Sequence, residues 1–206
     1  MKSRASFLII ANLLIAMSLI AQVKGTFTDT RDNKVYNTVT IGKQTWMAEN
    51  LAYKTTSGCW AYDNKQEYVA TFGYLYDWAT AKNVCPSGWY LPSEKEWDDL
   101  VKYLGYARVA AGKLKETGTS HWSEPNFMAT NESGFTGIAG GIYDRYLNKQ
   151  FEDIFDSSYW WCSNEASDLM AKNFELDYKV LDEESNLGEI LSEPKIDGLS
   201  VRCVKD

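Results

Sequence analysis

The chain has 206 residues, 21 basic and 28 acidic, for a net charge of −7. Residues 1–25 carry three basic and no acidic side chains, so the remainder holds 18 basic against 28 acidic, a net charge of −10. That balance repels nucleic acid and offers no basic stripe to override the repulsion; the remaining length suits one domain.

The N-terminus reads as a signal peptide over residues 1–25. Lys2 and Arg4 form a positive start, and Phe7 to Ile20 is an apolar run broken only by Asn12 and Ser18. A helix that crosses a bilayer needs about 20 apolar residues, so this run is short for a span and fits an export signal. Cleavage after Ala21 or after Gly25 is compatible with small residues at the junction, and the second suits the preceding Val23 better. No later segment reaches spanning length, so no membrane span is expected in the mature chain.

Residues 26–48 read as strands, with Val35, Val39 and Ile41 alternating with polar neighbours and Gly42-Lys43 turning the chain into Gln44–Met47. Residues 54–73 read as a polar loop carrying Cys59. Leu75, Trp78, Ala79 and Lys82 follow helical spacing, which predicts a helix over 75–83. A second helix opens at Ser93, with Glu96 three residues on as a capping box, shows Trp97, Leu100, Val101 and Leu104 on one face, and stops at Gly105.

From 106 to 160 the chain is rich in Gly, Ser and Asn and reads as an irregular region crossed by short strands. Residues 158–163, 170–178 and 199–204 read as strands, and the acidic stretch 182–194 as a solvated loop. There is no internal repeat or linker.

The 8 Trp, 13 Tyr and 8 Phe supply both core and stacking platforms. Trp122, Tyr143, Tyr146, Tyr159 and Trp160 lie in the irregular half, where binding residues concentrate, and form the candidate ligand set. Adjacent strand residues face opposite sides, so one of Trp160 and Trp161 is expected in the core and the other is a candidate for exposure. Glu124-Pro125-Asn126 spells a tripeptide by which calcium-dependent lectins hold the ion and sugar hydroxyls. Asn164 and Glu165 could supply the other half of such an oxygen-ligand site. The blander reading is a turn at Pro125. No other metal or cofactor is expected. The single His121 has no nucleophile motif near it and reads as an exposed loop residue, so no catalytic set stands out.

Four cysteines, Cys59, Cys85, Cys162 and Cys203, lack the short spacings of a zinc site. In an oxidising compartment an even count favours disulfides, with three connectivities open. A Cys85–Cys203 bond would staple the last strand to the middle of the domain.

Several strings, in order, carry a resemblance: GTFTDTRDNKVYNTVTIGKQTWMAENL at 25–51, GYLYDWATAKNVCPSGWYLPSEKEW at 73–97, AGKLK at 111–115, GFTGIAGG at 134–141, YWWCSNE at 159–165 and LSVRCVKD at 199–206. Together they resemble the Fibrobacter succinogenes major paralogous domain over nearly the whole chain after residue 25. The resemblance implies an α+β, C-type-lectin-like fold related to formylglycine-generating enzymes: two helices packed on small twisted antiparallel sheets, with a long irregular loop region. It also implies a bacterial protein that is secreted or held at the cell surface. Cys85 and Cys203 match the family pattern directly. A second Cys of the pattern is replaced near Val69, while a usual WWS reads Trp160-Trp161-Cys162, which implies a re-routed Cys59–Cys162 pair. The close pair of reactive cysteines used by formylglycine-generating enzymes is missing, so that oxidase activity is the remote reading. The leading expectation is a non-catalytic module that binds a polysaccharide or surface glycan through an aromatic loop surface. The alternative is a module that binds a cell-surface protein.

Overall fold

The computed structural model describes residues 22–147, 150–179 and 188–206; the segment read as a signal lies almost wholly outside them. Three strands come first: β1 (Val23–Thr28), β2 (Val35–Ile41) and β3 (Gln44–Met47). Ile41 pairs with Gln44, so Gly42-Lys43 is the expected two-residue turn, with Gly42 at φ 62°. The stretch read as a polar loop contains β4 (Cys59–Trp60) and the one-turn helix α1 (Val69–Phe72).

The helix predicted from residue 75 starts later. Leu75 belongs to β5 (Leu75–Tyr76), and α2 spans Trp78–Val84. Asp77 caps it by accepting from the Thr80 N–H at 2.9 Å. Its buried face is Trp78, Ala81 and Val84. After β6 (Trp89–Tyr90) comes α3 (Glu94–Leu104), with the capping box at Ser93 and Glu96 formed and Gly105 left-handed at its end.

A further helix, α4 (Ala107–Leu114), occupies part of the stretch read as irregular. Its start carries no side-chain cap, and Gly112 interrupts its helical pattern, which hides it in the sequence. Gly112 is there for space: a Cβ would lie 2.4 Å from the Met128 carbonyl oxygen. The described residues thus hold four α-helices, two more than expected.

The rest is β: β7 (Gly140–Asp144), β8 (Gln150–Ile154), β9 (Ser157–Glu165), β10 (Met170–Asp177), β11 (Glu189–Pro194), β12 (Leu199–Ser200) and β13 (Val204–Lys205). Residues 189–194, read as solvated loop, are therefore a strand; 182–187 lie outside the described residues. The predicted strand 199–204 is two short ones. A register shift between Ala171 and Asn173 accounts for the imperfect alternation of β10.

One sheet runs β1-β2-β3-β13-β6, the other β11-β10-β9-β12-β5-β4, with β7 joined to β9 and β8 to β7. The architecture is mixed α/β, dominated by sheet. Two aromatic cores flank β9. Trp161 packs with Tyr76, Trp78 and Leu199, and Trp160 with Trp97, Phe135 and Phe174. The Trp97 and Phe174 rings stack at 4.3 Å.

Arg202 is fully buried and ties these parts together. Its guanidinium donates to the carbonyls of Phe135 and Thr136 and, at 2.9 Å, to Asn50 Oδ1. Asn50 Oδ1 also accepts from Trp160 Nε1 at 2.8 Å. Burial pushes the Arg202 pKa down to about 9. Cys85 and Cys203 form a disulfide across 118 residues of sequence. Cys59 and Cys162 do not pair: both are free, and Cys162 is buried in the second core.

Candidate functional site: an acid-lined groove beside the central strand

The β7–β8 hairpin touches β9 at Gly141↔Ser158. Beside that point its own ladder is interrupted: no pair joins Gly141 to Asp153, and both residues are left-handed, at φ 66° and 61°. Only glycine fits at 141, where a Cβ would come within 2.3 Å of the Glu152 carbonyl oxygen. Between this hairpin and the β9–β10–β11 side lies a groove of about 620 Å³.

Ile142, Asp144, Glu152 and Asp153 line it from the hairpin side. Leu169, Met170, Glu193, Pro194 and Ile196 line it from the other, with Tyr159 between. Exposed apolar side chains surround it: Tyr146 is 59% exposed, Leu147 75%, Leu169 70% and Ile196 49%.

The carboxylates are held in place. Asp153 Oδ2 accepts from the Tyr159 hydroxyl at 2.8 Å. Asp197, itself buried, accepts from the N–H groups of Arg145 and Tyr146 at 2.8 and 2.9 Å, which fixes the turn that carries Tyr146. Burial, reinforced by Asp197, Asp144 and Asp153, pushes Glu193 up to about 7. Glu175, opposite Tyr159 in the ladder, is likewise pushed up to about 7 by burial and by Asp177, Glu193 and Asp153. Burial also raises Tyr159.

Of the cations that flank the groove in sequence, Arg145 favours the charged form of Asp197 while packing on Trp60, and Lys195 faces Glu165. The Arg145 guanidinium lies 4.6 Å from the Trp60 ring and donates to the Ile196 carbonyl. Lys195 pairs with Glu165 at 3.2 Å. Among the described residues, no basic side chain forms an ion pair with Asp153, Glu193 or Asp197.

The aromatic set predicted from sequence divides. Tyr146 and Tyr159 meet at the groove. Tyr143 is half-buried just behind it, stacked on Phe151 at 4.1 Å. Trp122 and Trp160 are buried core residues and present no surface to a ligand. Trp161 is buried too, because β9 runs between two cores rather than between core and solvent.

The four residues of the expected calcium site are used separately. Asn126 donates to the carbonyls of Glu116 and Gly118 at 2.8 and 2.6 Å. Asn164 accepts from the Glu94 N–H at the start of α3, and Glu165 holds Lys195. Glu124 and Pro125 sit in a turn. Among the described residues, no group of three or more His, Cys, Asp or Glu side chains is placed to hold a metal. His121 is half-buried rather than exposed, hydrogen-bonded to Glu116 at 2.7 Å and set edge-on to Phe72.

The carboxylates and aliphatic side chains of the groove went unrecognised in the sequence. The one local signal is that Ile196 stands as a single apolar residue in the otherwise polar turn Lys195–Gly198.

Fold and groove together describe a disulfide-tied α/β domain with twin aromatic cores and an acid-lined cleft at one sheet edge. The chain belongs to the Fibrobacter succinogenes major domain family, whose model matches residues 39–205. Comparison with curated proteins finds no match, and no solved structure matches.

Proposed function

We propose that the chain is an exported, non-catalytic binding domain of the bacterial cell envelope, one domain after signal cleavage, and that its ligand is an extended segment of another envelope protein lying in the groove. The observation that carries this reading is the ring of exposed Tyr146, Leu147, Leu169 and Ile196 around a concave site. Contiguous exposed apolar surface marks interaction sites, and a cavity with convergent polar groups is where a ligand gains both area and orientation. Export is supported by the disulfide, which persists in oxidising compartments. The non-catalytic reading is supported by Cys203 being bonded to Cys85 rather than free. A C-type-lectin-like fold is part of the proposal, supported by the resemblance and by short helices set against two mainly antiparallel sheets, the larger of which takes parallel pairings at β9 with β7 and β12 in place of the wholly antiparallel sheets expected. No helix among the described residues is long and apolar enough to cross a membrane.

A polysaccharide ligand is the second reading, favoured by Tyr146 and Tyr159 at the groove. The test is a panel of peptides and oligosaccharides, with and without EDTA, against the wild type and Leu169→Lys. Peptide binding that is insensitive to EDTA and lost in Leu169→Lys is expected. Binding of oligosaccharides alone would reverse the order of the two readings.

A further inference from the structure

Among the described residues, the charged side chains that line the groove are acidic, and Asp153 and Glu193 form no ion pair with a basic side chain. Glu175 adds a further carboxyl, paired with Tyr159 in the ladder. Of the two cations that flank these carboxylates in sequence, Lys195 pairs with Glu165, and Arg145 lies over Trp60 with its charge felt by Asp197, which leaves Asp153 and Glu193 for a ligand. We propose that the groove is a docking site for a basic, extended peptide segment in which Lys or Arg alternates with apolar residues. This deepens the reading above and rests on it.

The argument is one of complementarity. Half-buried carboxylates near one another are costly to ionise, and Glu193 and Glu175 show that cost in their raised pKa values. An incoming ammonium or guanidinium relieves both the burial and the mutual repulsion, and charge-assisted bonds to carboxylates are among the stronger polar contacts. A neutral ligand would leave that repulsion in place.

The walls supply the rest of the specificity. Met170, Pro194 and Ile196 offer aliphatic surface on the same side as Glu193. An extended chain sends successive side chains to opposite sides. One row of basic residues can therefore meet the carboxylates while apolar ones cover Leu147, Leu169 and Ile196.

The experiment measures fluorescence anisotropy of three labelled peptides, each about ten residues long, with the full disulfide-bonded chain at near-physiological salt. The first alternates Lys and Leu, the second Gln and Leu, the third Glu and Leu; an unlabelled neutral oligosaccharide serves as competitor. The Lys peptide is expected to bind roughly tenfold or more tightly than the Gln peptide, with the Glu peptide weakest. Glu193→Gln should narrow that gap. Leu169→Lys, at an exposed position that leaves folding intact, should abolish binding of the Lys peptide. Equal binding of Lys and Gln peptides would overturn the charge preference and leave the peptide reading standing. Lys-peptide binding unchanged in Leu169→Lys would overturn the site, since the acidic surface at large would then be responsible. Binding by none of the peptides would overturn the inference, and displacement by the oligosaccharide would replace the reading beneath it.

Discussion

Trp160 and Trp161 are neighbours in β9 that donate their indole N–H groups into opposite cores, Trp160 to Asn50 Oδ1 at 2.8 Å and Trp161 to the Tyr76 carbonyl at 2.7 Å. Both are fully buried, so each acts on stability. Trp160→Ala and Trp161→Ala should each cost about 3–5 kcal/mol in urea unfolding. Neither should change ligand affinity of the folded fraction. A large change in affinity with stability retained would return Trp160 to the ligand surface.

Arg202 holds two loop carbonyls and Asn50 with no acidic partner in contact. Lysine cannot reproduce the planar fork, so Arg202→Lys leaves buried acceptors unpaired. A loss of about 3 kcal/mol in the same unfolding assay is expected. Leu could fill the volume but not the hydrogen bonds, and should be no better.

The Cys85–Cys203 bond closes a loop of 118 residues. Removing it as the Cys85→Ser, Cys203→Ser pair should cost about 4–5 kcal/mol by chain entropy. Thiol labelling checks the other two positions. Cys59, half-exposed, should react in the native chain, while Cys162, buried with its thiol pushed up by that burial, should react only on unfolding. Finding no free thiol in unfolded, unreduced protein would restore a Cys59–Cys162 pair.

These outcomes bear on what sequence could disclose. The β2–β3 hairpin and the capped start of α3 were readable because each rests on residues within a few positions of one another. Helix α4 was not, since Gly112 makes room for a carbonyl from residue 128, outside any local window. The burial of both Trp160 and Trp161 depends on β9 having a core on each side, a fact of tertiary structure alone. Two of the five aromatics proposed for the ligand reach the groove, but its carboxylates come from strands and turns spread over residues 144–197, and no spacing rule joins them.

Glu175 and Glu193 are both raised from 4.5 to about 7. The native state therefore holds protons that the unfolded chain has released. Their contribution to stability is fully present below about 4.5 and is lost as pH rises through about 7. Urea unfolding should show lower stability at about pH 8 than at about pH 5, and Glu175→Gln with Glu193→Gln should flatten that difference. A difference unchanged in the double variant would place its origin elsewhere.

The proposed export makes the start of the processed chain a further test. β1 begins at Val23, paired with Thr40, and Gly25 is paired with Thr38. Cleavage after Gly25, the junction favoured by the small-residue pattern, would remove half of β1. Cleavage after Ala21 keeps the strand whole and leaves Gln22 beside Gly134. If export is as proposed, the intact mass of protein recovered from the exported fraction corresponds to a chain starting at Gln22.

The most direct test of the groove as the ligand site is hydrogen exchange by mass spectrometry, with and without the tightest ligand from the binding panel. The account predicts slowed exchange in 142–146, 150–154 and 167–170 and around 193–197, with α3 and the β1–β2 hairpin unchanged. Protection centred on α3 or on the β1–β2–β3 sheet, with the groove segments unaffected, would contradict it.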